Sequence, residues 1–253
     1  MRFLFFSFLT CCVLMSCDPT NNKMDNLNIE FKHFIDDNEL YFGSDWDWDA
    51  VWFHQDYVNK SINYQYNIRR ALYVLSDIIL YFEDGSSQVL DDYFFINTDD
   101  PSTFYKSLDV PGACSGISFR IGFSSENNID NYYINDQDNF HSLMLWPNLN
   151  GVNLFFQGGY HYMKVEGKYL EDGESSFYNA HTGPINAQDY SILIDQLTFP
   201  ATSSMVINVN LNNFFNDPLY DISLFGSAIM DNVDAQSILS QNGTGIFSVE
   251  ILK

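Results

Sequence analysis

The chain has 253 residues, 46% of them hydrophobic and 17% aromatic, which is enough to build one large core. Its 33 acidic residues against 11 basic residues give a net charge of -22. Such a charge repels the phosphates of nucleic acids and attracts cations, so nucleic acid is excluded as a partner.

The N-terminal segment is typical of a bacterial lipoprotein signal peptide. Arg2 precedes an apolar run over residues 3–15, which is too short for a permanent membrane span but suits a signal-peptide core. The run ends in a Leu-Met-Ser-Cys sequence that resembles a lipobox, with Cys17 as the lipidation site. We therefore expect a lipid anchor in the membrane and a location in the cell envelope, at the outer membrane, facing the periplasm or the cell surface.

This interpretation sets the domain boundaries. Residues 1–17 are predicted to be the signal peptide, residues 18–27 a polar tether, and residues 28–253 one folded domain. Of the four cysteines only Cys114 lies in that domain, so it forms no internal disulfide and depends on hydrophobic burial.

Short apolar runs separated by turn residues predict strands along the whole domain. The strongest signal is a hairpin, in which residues 71–82 lead through Asp84-Gly85 into residues 89–96. Further strands are predicted at residues 28–35, 61–66, 116–123, 151–156, 160–169, 175–180, 190–197, 204–211 and 246–252. Helix is predicted only at residues 99–108 and 231–240, the second beginning with Asp231 as its cap. The pattern indicates an all-β fold, an antiparallel Greek-key β-sandwich of immunoglobulin-like architecture with one or two short helices.

The sequence contains none of the common catalytic signatures. Gly-x-Ser-x-Gly, the P-loop, His-Glu-x-x-His and the dinucleotide-binding fingerprint are all absent. A binding protein is therefore favoured over an enzyme.

Residues 140–183 carry the most distinctive motif. They read Phe-His-Ser-Leu-Met-Leu-Trp-Pro from residue 140, Gly-Gly-Tyr-His-Tyr-Met-Lys-Val-Glu-Gly from residue 158, and Ala-His-Thr-Gly from residue 180. This order resembles the core signature of the methanobactin-associated copper-binding protein family (MbnP-like). Further blocks agree: Phe-x-His at residues 31–33, Tyr-x-x-Ser-Asp-Ile-x-Leu at residues 73–80, and a Pro-Gly-initiated strand from residue 111. The resemblance covers about residues 28 to 212.

The resemblance implies a non-enzymatic β-sandwich that holds copper, as Cu(I) or Cu(II), outside the cytoplasm. His33 matches the family's first-strand histidine and His181 the histidine of the His-x-Gly turn. Family members also use a tryptophan that is oxidised to kynurenine by a dihaem, cytochrome c peroxidase-like partner. Trp146 is its counterpart provided that an insertion separates it from the Gly-Tyr strand.

Copper chemistry independently favours the same part of the chain, because imidazole binds both oxidation states and thioether suits Cu(I). In a regular strand His161 and Met163 share one face, which makes them candidate ligands, as is Met144 beside Trp146. Alternatively, the methionines belong to the core and His161 to its rim. Ordinary histidines have a pKa of about 6.5, so copper binding is expected to weaken in acid.

A second hypothesis comes from an acidic, aromatic loop. Trp46 and Trp48 alternate with aspartates and Trp52 follows, and these tryptophans either pack on the domain or present a ligand surface. Sugar rings stack on exposed tryptophan faces. A metal-free module that binds glycan or protein is therefore the alternative to a copper protein.

Overall fold

The computed structural model describes residues 25–42, 53–54, 64–136, 139–148 and 158–252, which form two packed sheets. The strands are β1 (Asp25–Ile35), β2 (Asn38–Glu39), β3 (Phe53–His54), β4 (Tyr64–Tyr66), β5 (Arg70–Phe82), β6 (Ser87–Val89), β7 (Phe94–Asn97), β8 (Tyr105–Val110), β9 (Cys114–Ile121), β10 (Met163–Glu171), β11 (Glu174–Thr182), β12 (Ile192–Thr202), β13 (Ser204–Asn210) and β14 (Phe247–Ile251). The helices are α1 (Phe140–Met144), α2 (Ile222–Phe225) and α3 (Val233–Gly243), with 3-10 turns at Pro101–Phe104 and Leu211–Phe215. The predicted all-β sandwich is confirmed.

The smaller sheet has the order β14-β13-β1-β2, with β8 also paired to β1. In this sheet β1 and β13 run parallel, from Asn28 beside Ser204 to Phe34 beside Asn210. The other strand pairs of the sheet are antiparallel. This parallel pair is an addition to the predicted antiparallel sandwich. Two distant segments form it, so no hairpin signal in the sequence marks it.

The larger sheet has the order β12-β9-β5-β10-β4-β3, with β11 beside β10 and both β6 and β7 beside β5. The predicted hairpin is confirmed, since β5 pairs with β6 and β7 across a turn at Gly85, whose φ is +84°. A positive φ is readily adopted by glycine, which explains the Asp-Gly signal.

The main core lies between the sheets. In β1 every second side chain is buried, from Leu27 through Phe31 to Ile35, as expected for a strand with one face on the core. Strand β5 is buried on both faces, because Leu72 and Val74 pack beneath a layer that includes Phe123 and Phe140. That layer, on the outer face of the larger sheet, carries the candidate site.

Two predicted elements differ from the structure. Residues 99–108 contain only a 3-10 turn followed by β8, because the backbone of β8 pairs with residues 25–30 of β1. The same pairing extends β1 to Asp25, so the last residues of the predicted tether belong to the sheet.

The helices are short, at most 11 residues in the described part of the chain. Helix α3 matches the predicted helix at residues 231–240, but its cap is Asn232, whose side chain accepts from the backbone N–H of Ala235. Among the described residues, no helix is long and apolar enough to cross a bilayer.

Candidate metal centre

The candidate site is built where two chain segments meet on the outer face of the larger sheet. The backbone N–H of Trp146 donates to the carbonyl of Gly159 at 2.9 Å, and that of His161 donates to the carbonyl of Met144 at 2.7 Å. The N–H of Tyr162 in turn donates to Thr182 at the end of β11. Trp146, His161 and the end of β11 that carries His181 are thereby held side by side.

A polar clamp fixes the segment that carries His161. The Asn128 side chain accepts from the N–H of Tyr160 at 2.7 Å and donates to the carbonyl of the same residue at 3.0 Å. Gly159 has a φ of +88°, and a Cβ there would lie 2.7 Å from Asn128 Oδ1. The glycine of the family-like Gly-Tyr pair is therefore required by the close approach of this loop.

Three rings converge in the resulting space. The ring centroids of Trp146 and His161 are 4.7 Å apart, and those of His161 and His181 are 5.2 Å apart, both pairs edge to face. Trp146 is completely buried and His161 is 5% exposed. His161 Nδ1 lies 3.0 Å from the Met144 carbonyl, whereas the buried Nε2 has no hydrogen-bond partner among the described residues.

His181 is held by an ion network on the same face. Its Nε2 lies 2.8 Å from Glu166, and Lys164 and Arg70 lie 3.8 and 3.7 Å from that carboxylate. Burial acts to raise the pKa of Glu166, but the hydrogen bond from His181 and the nearby positive charges outweigh it and lower the pKa to about 2. Glu166 is thus a carboxylate throughout the physiological range.

Helix α3 and a glycine fix the end of β11 that carries His181. The structure has His181 in this strand and not in the turn expected from the His-x-Gly motif. Gln236 donates to the carbonyl of His181 at 2.7 Å and accepts from the N–H of Gly183 at 3.1 Å. A Cβ on Gly183 would lie 2.3 Å from Trp146 Cε3, so this glycine lets the indole approach the end of β11. The Ala-His-Thr-Gly motif pointed to this segment, but nothing in the sequence indicated Gln236 as its partner.

Both histidines of the centre favour the neutral form. Burial, with the nearby charges of His181 and Lys164, lowers the pKa of His161 well below its ordinary value. Burial also lowers the pKa of His181, although the hydrogen bond to Glu166 opposes that shift. Neutral imidazole is the form that binds metals.

His33 lies elsewhere, in the core between the sheets. Its Nε2 is 3.0 Å from the Tyr73 hydroxyl, and its ring packs on Phe104. Tyr73 is opposite Met163 in the neighbouring strand, and His181 is opposite the next residue, Lys164. Successive side chains of a strand point to opposite faces, so Tyr73 and His181 lie on opposite faces of the sheet. This arrangement separates His33 from His181, and the predicted sharing of one ion by these two rings is wrong for this structure.

The two methionine side chains belong to other clusters than the three rings. The Met144 side chain is buried in the aromatic cluster with Phe140 and Tyr160, and its carbonyl accepts hydrogen bonds from His161. Met163 faces the core between the sheets. The predicted shared face of His161 and Met163 is wrong because β10 begins at Met163, and the segment before it is not a regular strand.

The donor set at the centre is limited. Among the described residues, no three His, Cys, Asp or Glu side chains are arranged to hold a metal ion. A metal site here would therefore have two imidazole ligands, and any third ligand would be a group other than His, Cys, Asp or Glu. The Trp146 ring lies 4.7 Å from that of His161. The buried Nε2 of His161 has no hydrogen-bond partner among the described residues, although buried acceptors normally have one. This nitrogen is therefore suited to bind a metal.

Several predicted residues lie outside the described part of the chain. They are the lipidation candidate Cys17 and the aromatic loop residues Trp46, Trp48 and Trp52. The lipid anchor and the glycan- or protein-binding hypothesis stay predictions.

Comparison with known proteins agrees with this fold. No curated protein has significant sequence similarity to the chain. The solved structure of MbnP from Methylosinus trichosporium is similar with a TM-score of 0.52 and 12% sequence identity, and the match covers 90% of this chain and 98% of that chain. The MbnP family model matches residues 24–231, which is most of the chain. The chain therefore belongs to the MbnP family.

Proposed function

We propose that this protein is a non-enzymatic copper-binding protein of the cell envelope, held there by a lipid on Cys17, that sequesters, delivers or senses copper. The observation that carries the proposal is the convergence of Trp146, His161 and His181, with a buried imidazole nitrogen that has no partner among the described residues. Imidazole suits both oxidation states of copper. The acidic net charge also favours the approach of cations.

The spacing of the two imidazoles supports one shared ion. An imidazole nitrogen binds a first-row metal at about 2 Å, which places the ring centre about 3 Å from the ion. Two rings on one ion then have centroids roughly 5 to 6 Å apart. The separation of 5.2 Å between His161 and His181 falls in this interval.

The direct test is titration of the purified protein with Cu(I) and with Cu(II) in the presence of a competing chelator. We expect one equivalent to bind tightly in at least one oxidation state, as read from the chelator's absorbance. Absence of stoichiometric binding in both states overturns the proposal.

Copper binding is expected to resist mild acid. The pKa of each site histidine lies below 6.5, so protons compete with copper only at lower pH than for ordinary histidines. Competition titrations at about pH 7.5 and pH 6 should therefore show a smaller loss of affinity than a short peptide with two histidines shows. A loss equal to that of the peptide would mean that the buried imidazoles are not the ligands.

Trp146 is proposed to supply the further donor after oxidation to kynurenine, whose aromatic amine and ketone can bind metals where indole binds poorly. We further propose that a dihaem, cytochrome c peroxidase-like partner makes this change with a peroxide as oxidant. The indole C2–C3 bond breaks, C3 becomes the ketone carbon, and C2 leaves as formate after hydrolysis. Mass spectrometry of protein from its native source should show a gain of about 4 Da on the Trp146 peptide.

The control is the same protein made in a host that lacks such an enzyme. Its Trp146 peptide should keep the unmodified mass, and the peptides with Trp46, Trp48 and Trp52 should be unmodified from both sources. Native protein that binds copper fully with an unmodified Trp146 contradicts a role for kynurenine.

A further inference from the structure

The hydrogen bond of His161 fixes which of its nitrogens is free. Nδ1 lies 3.0 Å from the Met144 carbonyl, and a carbonyl oxygen only accepts hydrogen bonds. The hydrogen of the neutral ring is therefore on Nδ1, and Nε2 keeps its lone pair. That atom is the buried nitrogen without a partner among the described residues.

The hydrogen bond of His181 fixes the opposite choice. Its Nε2 lies 2.8 Å from Glu166 Oε1, and a carboxylate only accepts. Lys164 and Arg70 lie within 4 Å of the same carboxylate and keep it charged. In the neutral ring of His181 the hydrogen is therefore on Nε2, and Nδ1 keeps its lone pair.

We propose that Glu166 is a positioning residue for copper: by accepting the Nε2–H of His181, it leaves Nδ1 of that ring to bind the ion together with Nε2 of His161. The inference rests on the proposed function and adds the binding atoms and the residue that selects one of them. Carboxylate–histidine–metal arrangements orient the ring and raise its basicity as a ligand.

The environment of Glu166 suits this role. Arg70 is also bound to Asp99 at 2.7 Å, and Lys164 donates to the carbonyl of Leu143 at 3.0 Å. The two cations are therefore anchored on other groups as well, and they hold the carboxylate in place beside the ring. Glu166 needs no metal contact to act.

The test begins with nitrogen-15 NMR of the metal-free protein, in which long-range correlations report the tautomer of each imidazole. We expect hydrogen on Nε2 of His181 and on Nδ1 of His161. In Glu166→Gln, the His181 signals should shift toward a mixture of tautomers and the copper affinity should fall by roughly 10- to 100-fold. Asp77→Asn is the matched control, because it removes a carboxylate of the same sheet that pairs with Arg120 at 2.7 Å and stands outside the Glu166 network. Both readouts should stay as in the unmodified protein.

Hydrogen on Nδ1 of His181 in the unmodified protein overturns the inference, and this measurement does not depend on whether any variant folds. The inference is also overturned if the folded Glu166→Gln protein has an altered His181 tautomer but the same copper affinity as the unmodified protein. Because the tautomer is read without metal, these failures are distinct from that of the proposed function, which is contradicted when the unmodified protein binds no copper.

Discussion

Replacing His161 or His181 with alanine is expected to lower the copper affinity by at least roughly 100-fold, because changes in the residues that merely support metal ligands already cost 10- to 100-fold. Each substitution removes one of the two imidazoles that meet at the centre. The His161 ring is buried, and its Nε2 lacks a hydrogen-bond partner within the described part of the chain. Affinity is measured by competition with a chelator of known copper affinity.

The matched control is His141→Ala. His141 is partly exposed and its Nδ1 lies 2.9 Å from the Tyr160 hydroxyl, so it belongs to the same covering layer but not to the three-ring cluster. We expect its removal to leave the copper affinity within a few-fold of the unmodified protein. An equal loss of copper affinity in all three variants contradicts the assignment of ligands, as does an unchanged affinity in the His161 and His181 variants. Circular dichroism is used to check that each variant is folded.

His33 is expected to make the protein less stable in acid. Burial lowers its pKa to about 3 in the folded state, whereas the unfolded chain has the ordinary value of about 6.5. Between these values the unfolded chain binds a proton that the folded protein does not, so the free energy of unfolding falls as the pH falls. One unit of pKa difference corresponds to 1.36 kcal/mol, and we expect His33 to account for a loss of about 2 to 3 kcal/mol between pH 7 and pH 4.5.

Chemical denaturation of the unmodified protein and of His33→Gln at both pH values isolates this contribution. Glutamine does not titrate and its amide can still bond to the Tyr73 hydroxyl, while the carboxylates that contribute to acid unfolding are the same in both proteins. Between pH 7 and pH 4.5, the free energy of unfolding of the variant should fall by about 2 to 3 kcal/mol less than that of the unmodified protein. Equal losses would show that His33 is not buried as a neutral ring.

The strand content was predictable because short apolar runs and turn residues are local signals. The hairpin at Asp84-Gly85 is the clearest case, since its glycine has the positive φ that the motif implies. The parallel pairing of β1 with β13 and the strand β8 were missed, because partners distant in sequence create both. Backbone pairing with β1 overrides the weak helical pattern of residues 99–108.

The residues of the candidate site could be named from the sequence, but their grouping could not. The family-like motifs gave His181 directly and Trp146 only on the condition that an insertion precedes the Gly-Tyr strand, and the structure places Trp146 beside Gly159. The sequence could not show that His33 lies on the far side of the larger sheet, because its face depends on the register between segments distant in the chain. Irregular backbone before β10 likewise turned His161 toward Trp146 instead of Met163.

The most direct test of the copper assignment is a crystal structure of the copper-loaded protein with anomalous data collected at the copper absorption edge. The anomalous peak should lie between His161 and His181, beside residue 146, within bonding distance of one nitrogen from each ring. A fully occupied peak at another position, such as beside His33 or on the acidic surface, with the rings of residues 161 and 181 free of metal, contradicts the account.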